Sequence, residues 1–183
     1  MVHLSRLVVL AALLSATARA AFAQAPDLED LLYLELDCGR VTILMRPDLA
    51  PLTVERVRTL ARAGVYDGVI FHRVIARTLA ETGDPTGTGN GGADLPNLPE
   101  EFTIEPFARG TVAMAHGTDP RTGNSRFFIT FSPAPWLNGH YTVWGQVVGG
   151  MNCLESVEPG VGADYRPLDP DRIISARIAA DAP

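Results

Sequence analysis

Tyr66 to Gly92 reads YDGVIFHRVIARTLAETGDPTGTGNGG, and more of the fold can be inferred from it than from any other part of the 183-residue chain. Val69 to Ile75 is rich in β-branched and aromatic residues and follows Gly68, so it predicts a strand. Gly83 to Glu100 is dense in Gly, Pro and Asn and reads as a long structured loop. Between them, Ala76 to Thr82 (ARTLAET) is assigned to no element.

Outward from this stretch, strands recur. Leu32 to Leu36 and Val41 to Met45 flank the turn Asp37-Cys38-Gly39-Arg40 and predict an opening β-hairpin. Pro51 to Ala63 reads as a helix. Pro51 suits its first turn, Leu52, Val54, Val57 and Leu60 give an apolar face, and Gly64 ends it. Thr111–Ala115, Phe127–Phe131, Thr142–Val148 and Arg172–Ile178 are further strands, and Met151 to Val157 a short helix. Many short strands, two helices and long loops predict a β-dominated fold, a closed antiparallel barrel with helices over its ends. The pattern alone leaves a sandwich open as the alternative.

The N-terminus has the marks of a secretory signal peptide. Arg6 precedes the apolar run Leu7–Leu14, and small-x-small sites follow between Ala18 and Ala25. The run is well short of the ~20 residues that span a bilayer, so export with cleavage is expected rather than a membrane anchor. Residues 1–23 are read as the signal, with cleavage between 20 and 25, and residues 24–183 as one domain. The expected location is outside the cytoplasm, in a periplasm, with no stable membrane insertion afterwards.

All 15 basic residues are arginine. Without Arg6 and Arg19, 13 arginines stand against 21 acids, a balance of −8. No clustered basic surface is legible, which argues against nucleic-acid binding. His3, His72, His116 and His140 show no metal-ligand spacing. Cys38 and Cys153 lie outside any CxxC motif and are expected as two free thiols, although an exported protein could pair them.

Several motifs taken together identify a family. They are Ala50-Pro51-Leu52-Thr53-Val54-Glu55, Tyr66-Asp67-Gly68, Phe71-His72-Arg73-Val74-Ile75 and Gly83-Asp84-Pro85-Thr86-Gly87-Thr88-Gly89. Met114-Ala115, Asn124-Ser125-Arg126-Phe127-Phe128-Ile129, Trp136-Leu137-Asn138-Gly139 and Val143-Trp144-Gly145 follow in order. From about Leu31 to Ile178 the chain resembles the cyclophilin-type peptidyl-prolyl cis–trans isomerases. The resemblance implies a closed eight-stranded antiparallel barrel capped by two α-helices, with the substrate groove on its outer surface. It also implies a monomer that acts on proline-containing polypeptides without metal or cofactor.

The chemistry accounts for the residue types. Rotation about an X–Pro bond meets a barrier of ~18–20 kcal/mol and takes ~10–100 s unaided. No covalent bond is made or broken. The proline nitrogen becomes pyramidal and more basic as the amide twists, so a fixed donor aimed at it favours the twisted state over the planar one. Arginine is always charged and carries several donors. By resemblance, Arg73 has that role. Also by resemblance, Phe128 and Leu137 wall the proline pocket, Phe71, Met114 and Ala115 belong to the substrate site, Trp136 stands at the rim, and His116 and Tyr141 lie near the peptide backbone.

Ala76 to Thr82 departs from the family pattern without changing its length. Thr78 stands where a pocket phenylalanine is usual, Leu79 where a methionine is, and Glu81 where an active-site glutamine is; Arg126 likewise replaces a usual glutamine. Leu79 preserves the volume. Thr78 removes a ring. Glu81 can accept hydrogen bonds but cannot donate, and it either pairs with Arg73 or turns outward into solvent. The leading expectation is an isomerase assisting the folding of exported proteins. The alternative is a related module that holds proline-containing segments without efficient turnover.

Overall fold

The computed structural model describes residues 25–182. The expected signal peptide, residues 1–23, lies outside the described residues. Among those described, no helix is long and apolar enough to cross a membrane.

β1 (Leu31–Leu36) and β2 (Gly39–Met45) form the opening hairpin, in register from Leu31↔Leu44 to Leu36↔Gly39. Their alternation sends Leu32, Leu34, Leu36, Val41, Ile43 and Met45 inward. α1 (Pro51–Arg62) follows and buries Val54, Val57 and Leu60, while Leu52, expected on that face, is 52% exposed. Ala50 at the N-cap has no side chain to offer the free N–H groups of the first turn. Glu101 supplies it from a distant loop, accepting from the N–H groups of Leu52 and Thr53, each at 2.9 Å.

The remaining strands are β3 (Arg73–Ile75), β4 (Leu79–Thr82), β5 (Thr111–Met114), β6 (Phe127–Thr130), β7 (Val143–Gly149) and β8 (Ser175–Ile178), with α2 (Met151–Leu154) between β7 and β8. β4 is an addition to the sequence reading. Ala76–Thr82 turns back on β3 through Arg77, whose φ of +60° gives the reversal without a glycine.

All eight strands belong to one antiparallel sheet in the order β3-β4-β6-β5-β7-β2-β1-β8. The sheet curves strongly into an open half-barrel, and the expected full closure is not shown by its strand pairing. No ladder joins β3 to β8 among the described residues. Residues before each strand meet instead: Gly68 N–H donates to the Ile173 carbonyl at 2.7 Å and Phe71 N–H to that of Asp171 at 2.9 Å. The outer edge of β3 is covered by residues 160–166, through hydrogen bonds between Val74 and both Tyr165 and Gly160, each 2.9 Å. That cover removes a bare strand edge.

Cys38, in the β1–β2 turn, and Cys153, in α2, form a disulfide with Cα atoms 5.4 Å apart. This corrects the expectation of free thiols. The turn and the short helix meet because the antiparallel β2–β7 ladder sets Gly149, just before α2, opposite Thr42, near the start of β2.

Apolar packing divides into two clusters. The larger fills the concave side with Leu32, Ile43, Phe71, Phe127, Ile129 and Trp144, closed over by α1. The smaller, on the other face, gathers Leu79, Phe107, Ala113, Ala115, Phe128, Ala134 and Val143, with Leu137 and Tyr141 against it.

Candidate active site

Strand alternation builds the site on the outer face. In β6, Phe127 and Ile129 join the inner core while Phe128 joins the outer cluster. In β3 and β4, Val74 and Ala80 go inward, and Arg73, Leu79 and Glu81 go outward to line a cleft of about 650 Å³. Of the expected site residues, Arg73, Thr78, Leu79, Glu81, Ala115, His116, Phe128, Trp136, Leu137 and Tyr141 all line this cleft. Phe71 and Met114 do not. Both are buried in the inner core, and Met114 falls on the opposite side of its strand from Ala113 and Ala115. Their expected place in the groove is corrected on that ground.

The apolar wall is locked by aromatic contacts. Phe128 stacks on Phe107 at 5.9 Å between ring centroids and meets Tyr141 edge-on at 5.1 Å. His116 stacks on Tyr141 at 4.5 Å, and its ring nitrogens lie 2.7 Å from the Gly117 carbonyl oxygen and 2.9 Å from that of His140. The single turn Pro135–Leu137 tucks Leu137 against the wall and leaves Trp136 63% exposed at the rim.

Arg73 and Glu81 are direct cross-strand partners. Arg73 Nη1 lies 3.5 Å from Glu81 Oε2. Glu81 therefore faces the cleft cations, and its side chain is 12% exposed. Its other oxygen is 3.5 Å from Arg126 Nη1 and 3.4 Å from His72 Nε2. The His72 contact is within ion-pair distance but outside hydrogen-bond geometry, so both nitrogens of this buried ring lack a hydrogen-bond partner. Burial pushes the Glu81 carboxyl pKa up, but His72, Arg126 and Arg73 together hold it below its ordinary value. Glu81 is thus a carboxylate in the neutral range.

The far wall is Thr88, Gly89 and Asn90 on one side and Ala163, Asp164 and Arg166 on another. Asp84, fully buried, organises the first of these. Its carboxylate accepts from the N–H and hydroxyl of Thr86, both at 2.8 Å, and from the N–H groups of Gly89 at 2.7 Å and Gly91 at 3.0 Å. A side chain on Gly91 would collide with that carboxylate, so the loop needs glycine there. Burial alone would raise the Asp84 pKa; the Thr86 hydroxyl and the N–H groups of Gly91, Thr86 and Gly89 outweigh it and hold it far below the usual range.

Asp84→Ala orphans several buried donors at ~1–3 kcal/mol each. Urea unfolding at neutral pH should show a loss of roughly 3 kcal/mol or more. Because the folded-state pKa is depressed, Asp84 stabilises the fold above its unfolded pKa of ~3.9 and loses this contribution as the pH falls towards the folded value. The gap between wild type and variant should narrow below about pH 4.

The sequence reading left Arg126, His72, Thr88 and Arg166 out of the site. Arg126 and His72 sit inside the motifs NSRFF and FHRVI, one residue from Phe127 and from Arg73. Residues 163–166 fall in a loop whose sequence gave no sign of its position.

With this geometry in hand, comparison with known proteins is decisive. Residues 31–178 match the family model described as cyclophilin type peptidyl-prolyl cis-trans isomerase/CLD. The chain belongs to the cyclophilin family. A probable peptidyl-prolyl cis-trans isomerase of Brucella suis is 44% identical over 171 residues, covering 87% of each chain. A peptidyl-prolyl cis-trans isomerase-like 1 protein of Aspergillus fumigatus is 37% identical, covering 78% of this chain and 91% of that one. Among solved structures, a cyclophilin from Hirschia baltica superposes with a TM-score of 0.78 at 25% identity, over 87% of this chain and 77% of its own. A Cryptosporidium parvum cyclophilin-type isomerase, crystallised in the presence of the dipeptide Ala-Pro, gives 0.75 at 29% identity, over 81% and 98%. This cyclophilin is accordingly a peptidyl-prolyl cis–trans isomerase.

Proposed function

We propose that this cyclophilin is exported and, as a monomer, accelerates X–Pro isomerisation while exported polypeptides fold, with Arg73 stabilising the twisted amide. The observation that carries this reading is the position of Arg73. Its side chain is 39% exposed and lines the same cleft as the apolar cluster of Leu79, Ala115, Phe128 and Leu137.

The proline ring of a substrate fills the apolar cluster. The carbonyl side of the X–Pro bond then projects towards the polar half of the cleft. As the amide twists, its nitrogen lone pair localises and accepts from Arg73. The planar ground state offers no such acceptor, so the interaction favours the twisted state. The Cryptosporidium relative, crystallised in the presence of the dipeptide Ala-Pro, supports a proline-containing peptide as the occupant. The Cys38–Cys153 bond supports an oxidising compartment, where such bonds persist.

The test is a prolyl-peptide exchange assay on the chain without residues 1–23, with export of a full-length reporter fusion scored separately. Catalysed exchange and delivery of the fusion outside the cytoplasm are expected. A folded protein that leaves the exchange rate at its buffer value would overturn the catalytic part, and retention of the fusion in the cytoplasm would overturn the exported part.

A further inference from the structure

Glu81 is held between two arginines rather than one. Oε2 lies 3.5 Å from Arg73 and Oε1 lies 3.5 Å from Arg126. Arg126 is not a loose surface residue. Its side chain is 17% exposed, and its Nη1 also donates to the Gly89 carbonyl. Gly89 is in turn fixed by its N–H bond to Asp84. The geometry points to Arg126 as a positioning residue that shares the charge of Glu81, so that Arg73 keeps a net positive field towards the cleft. This rests on the proposed role of Arg73.

The physical argument is one of charge count. An isolated Arg73–Glu81 pair would be neutral as a unit, and the carboxylate would oppose the donor field that a twisted amide needs. Two guanidiniums around one carboxylate leave a unit of +1. A carboxylate has two oxygens and about four lone-pair sites, so it can serve both arginines at once. Glu81 also screens Arg73 from Arg126, two like charges that would otherwise repel across a half-buried space. Glu81 can therefore orient Arg73 without cancelling it, provided Arg126 is present.

The test is a cycle of wild type, Arg126→Gln, Glu81→Gln and the double variant in the exchange assay, with Arg73→Ala alongside. Arg126→Gln should lower kcat/KM about tenfold, mainly through kcat, the factor set by ~1.4 kcal/mol in the barrier. Adding Glu81→Gln to it should restore most of that loss, because removing the acid removes the need for its second partner. Arg126→Lys, which keeps the charge, should stay near wild type and serves if Arg126→Gln does not fold. Unchanged activity in folded Arg126→Gln, a loss that Glu81→Gln does not relieve, or a tenfold loss in folded Arg126→Lys each overturns the inference. If Arg73→Ala is inactive while the cycle fails, only the role of Arg126 falls. If Arg73→Ala is fully active, the reading of Arg73 falls with it.

Discussion

Arg73→Ala should lower kcat/KM for a prolyl peptide by about 10²–10³, the loss typical of deleting one donor aimed at developing charge. The effect should fall on kcat. The apolar cluster that receives the proline ring does not depend on Arg73, so ground-state binding, and with it KM, should change little. Stability should also hold. The Arg73 side chain is 39% exposed, its ion pair with Glu81 spans 3.5 Å, and its contact over the Tyr165 ring spans 5.8 Å. Substitutions at such positions usually move stability by no more than ~0.5 kcal/mol. A melting curve that overlays wild type beside an exchange rate near that of buffer is the expected pair of results. Arg73→Lys should be intermediate, because an ammonium keeps the charge but loses the planar fork of donors. Full activity in folded Arg73→Ala would move the catalytic field elsewhere in the cleft, to Arg126 or Arg166.

The departures at Thr78 and Glu81 look different once the site is assembled. Read along the chain, Glu81 is an acid set against Arg73. Read across the sheet, it has a second cation beside it, Arg126, contributed by the residue just before β6. The two positions are 45 residues apart in sequence, and only the β4–β6 ladder brings them together. This is why residue-by-residue reading found two unrelated substitutions where the fold holds a pair. Thr78 stays at the cleft rim, next to the β3–β4 turn, where its hydroxyl donates to the Ala76 carbonyl at 3.3 Å.

The opening strands were legible because the apolar residues of β1 and β2 alternate against the inner core. The opening hairpin and α1 were placed to within a residue or two for that reason. β4 was not legible. Its four residues are Leu79, Ala80, Glu81 and Thr82, and the turn before it uses Arg77 at positive φ in place of the glycine or asparagine that signals a reversal. Met114 was placed in the groove because its motif is contiguous, but contiguous residues in a strand point to opposite faces, whereas Phe71 lies two residues before Arg73, outside β3, where strand alternation does not apply. The two sides of the sheet differ in what they hold, and that difference is set by parity, which a motif match does not read. Closure was not legible for a related reason. The number of strands is a property of the sequence pattern, whereas the pairing of the first edge with the last depends on how far the sheet curves.

Serine at both Cys38 and Cys153 should cost the fold more than any change in the cleft. The bond joins two positions 115 apart in sequence. Constraint of the unfolded chain over ~100 residues is worth up to ~4.7 kcal/mol in the chain-entropy treatment. At ~2–4 °C per kcal/mol for a domain of this size, thermal melting should drop by roughly 10–20 °C. The same drop should appear when wild type is melted in reductant, and reductant should then do nothing further to the double variant. Activity at low temperature should survive. Neither cysteine lines the cleft, and the strands that build it (β3, β4, β6 and β5) occupy the half of the sheet away from the β1–β2 turn. Stability and catalysis therefore separate in this chain: Arg73→Ala removes activity and keeps the melt, and the cysteine pair removes the melt and keeps activity. A double variant that melts with wild type would mean that packing of α2 on β2, not the covalent link, holds this end of the sheet together.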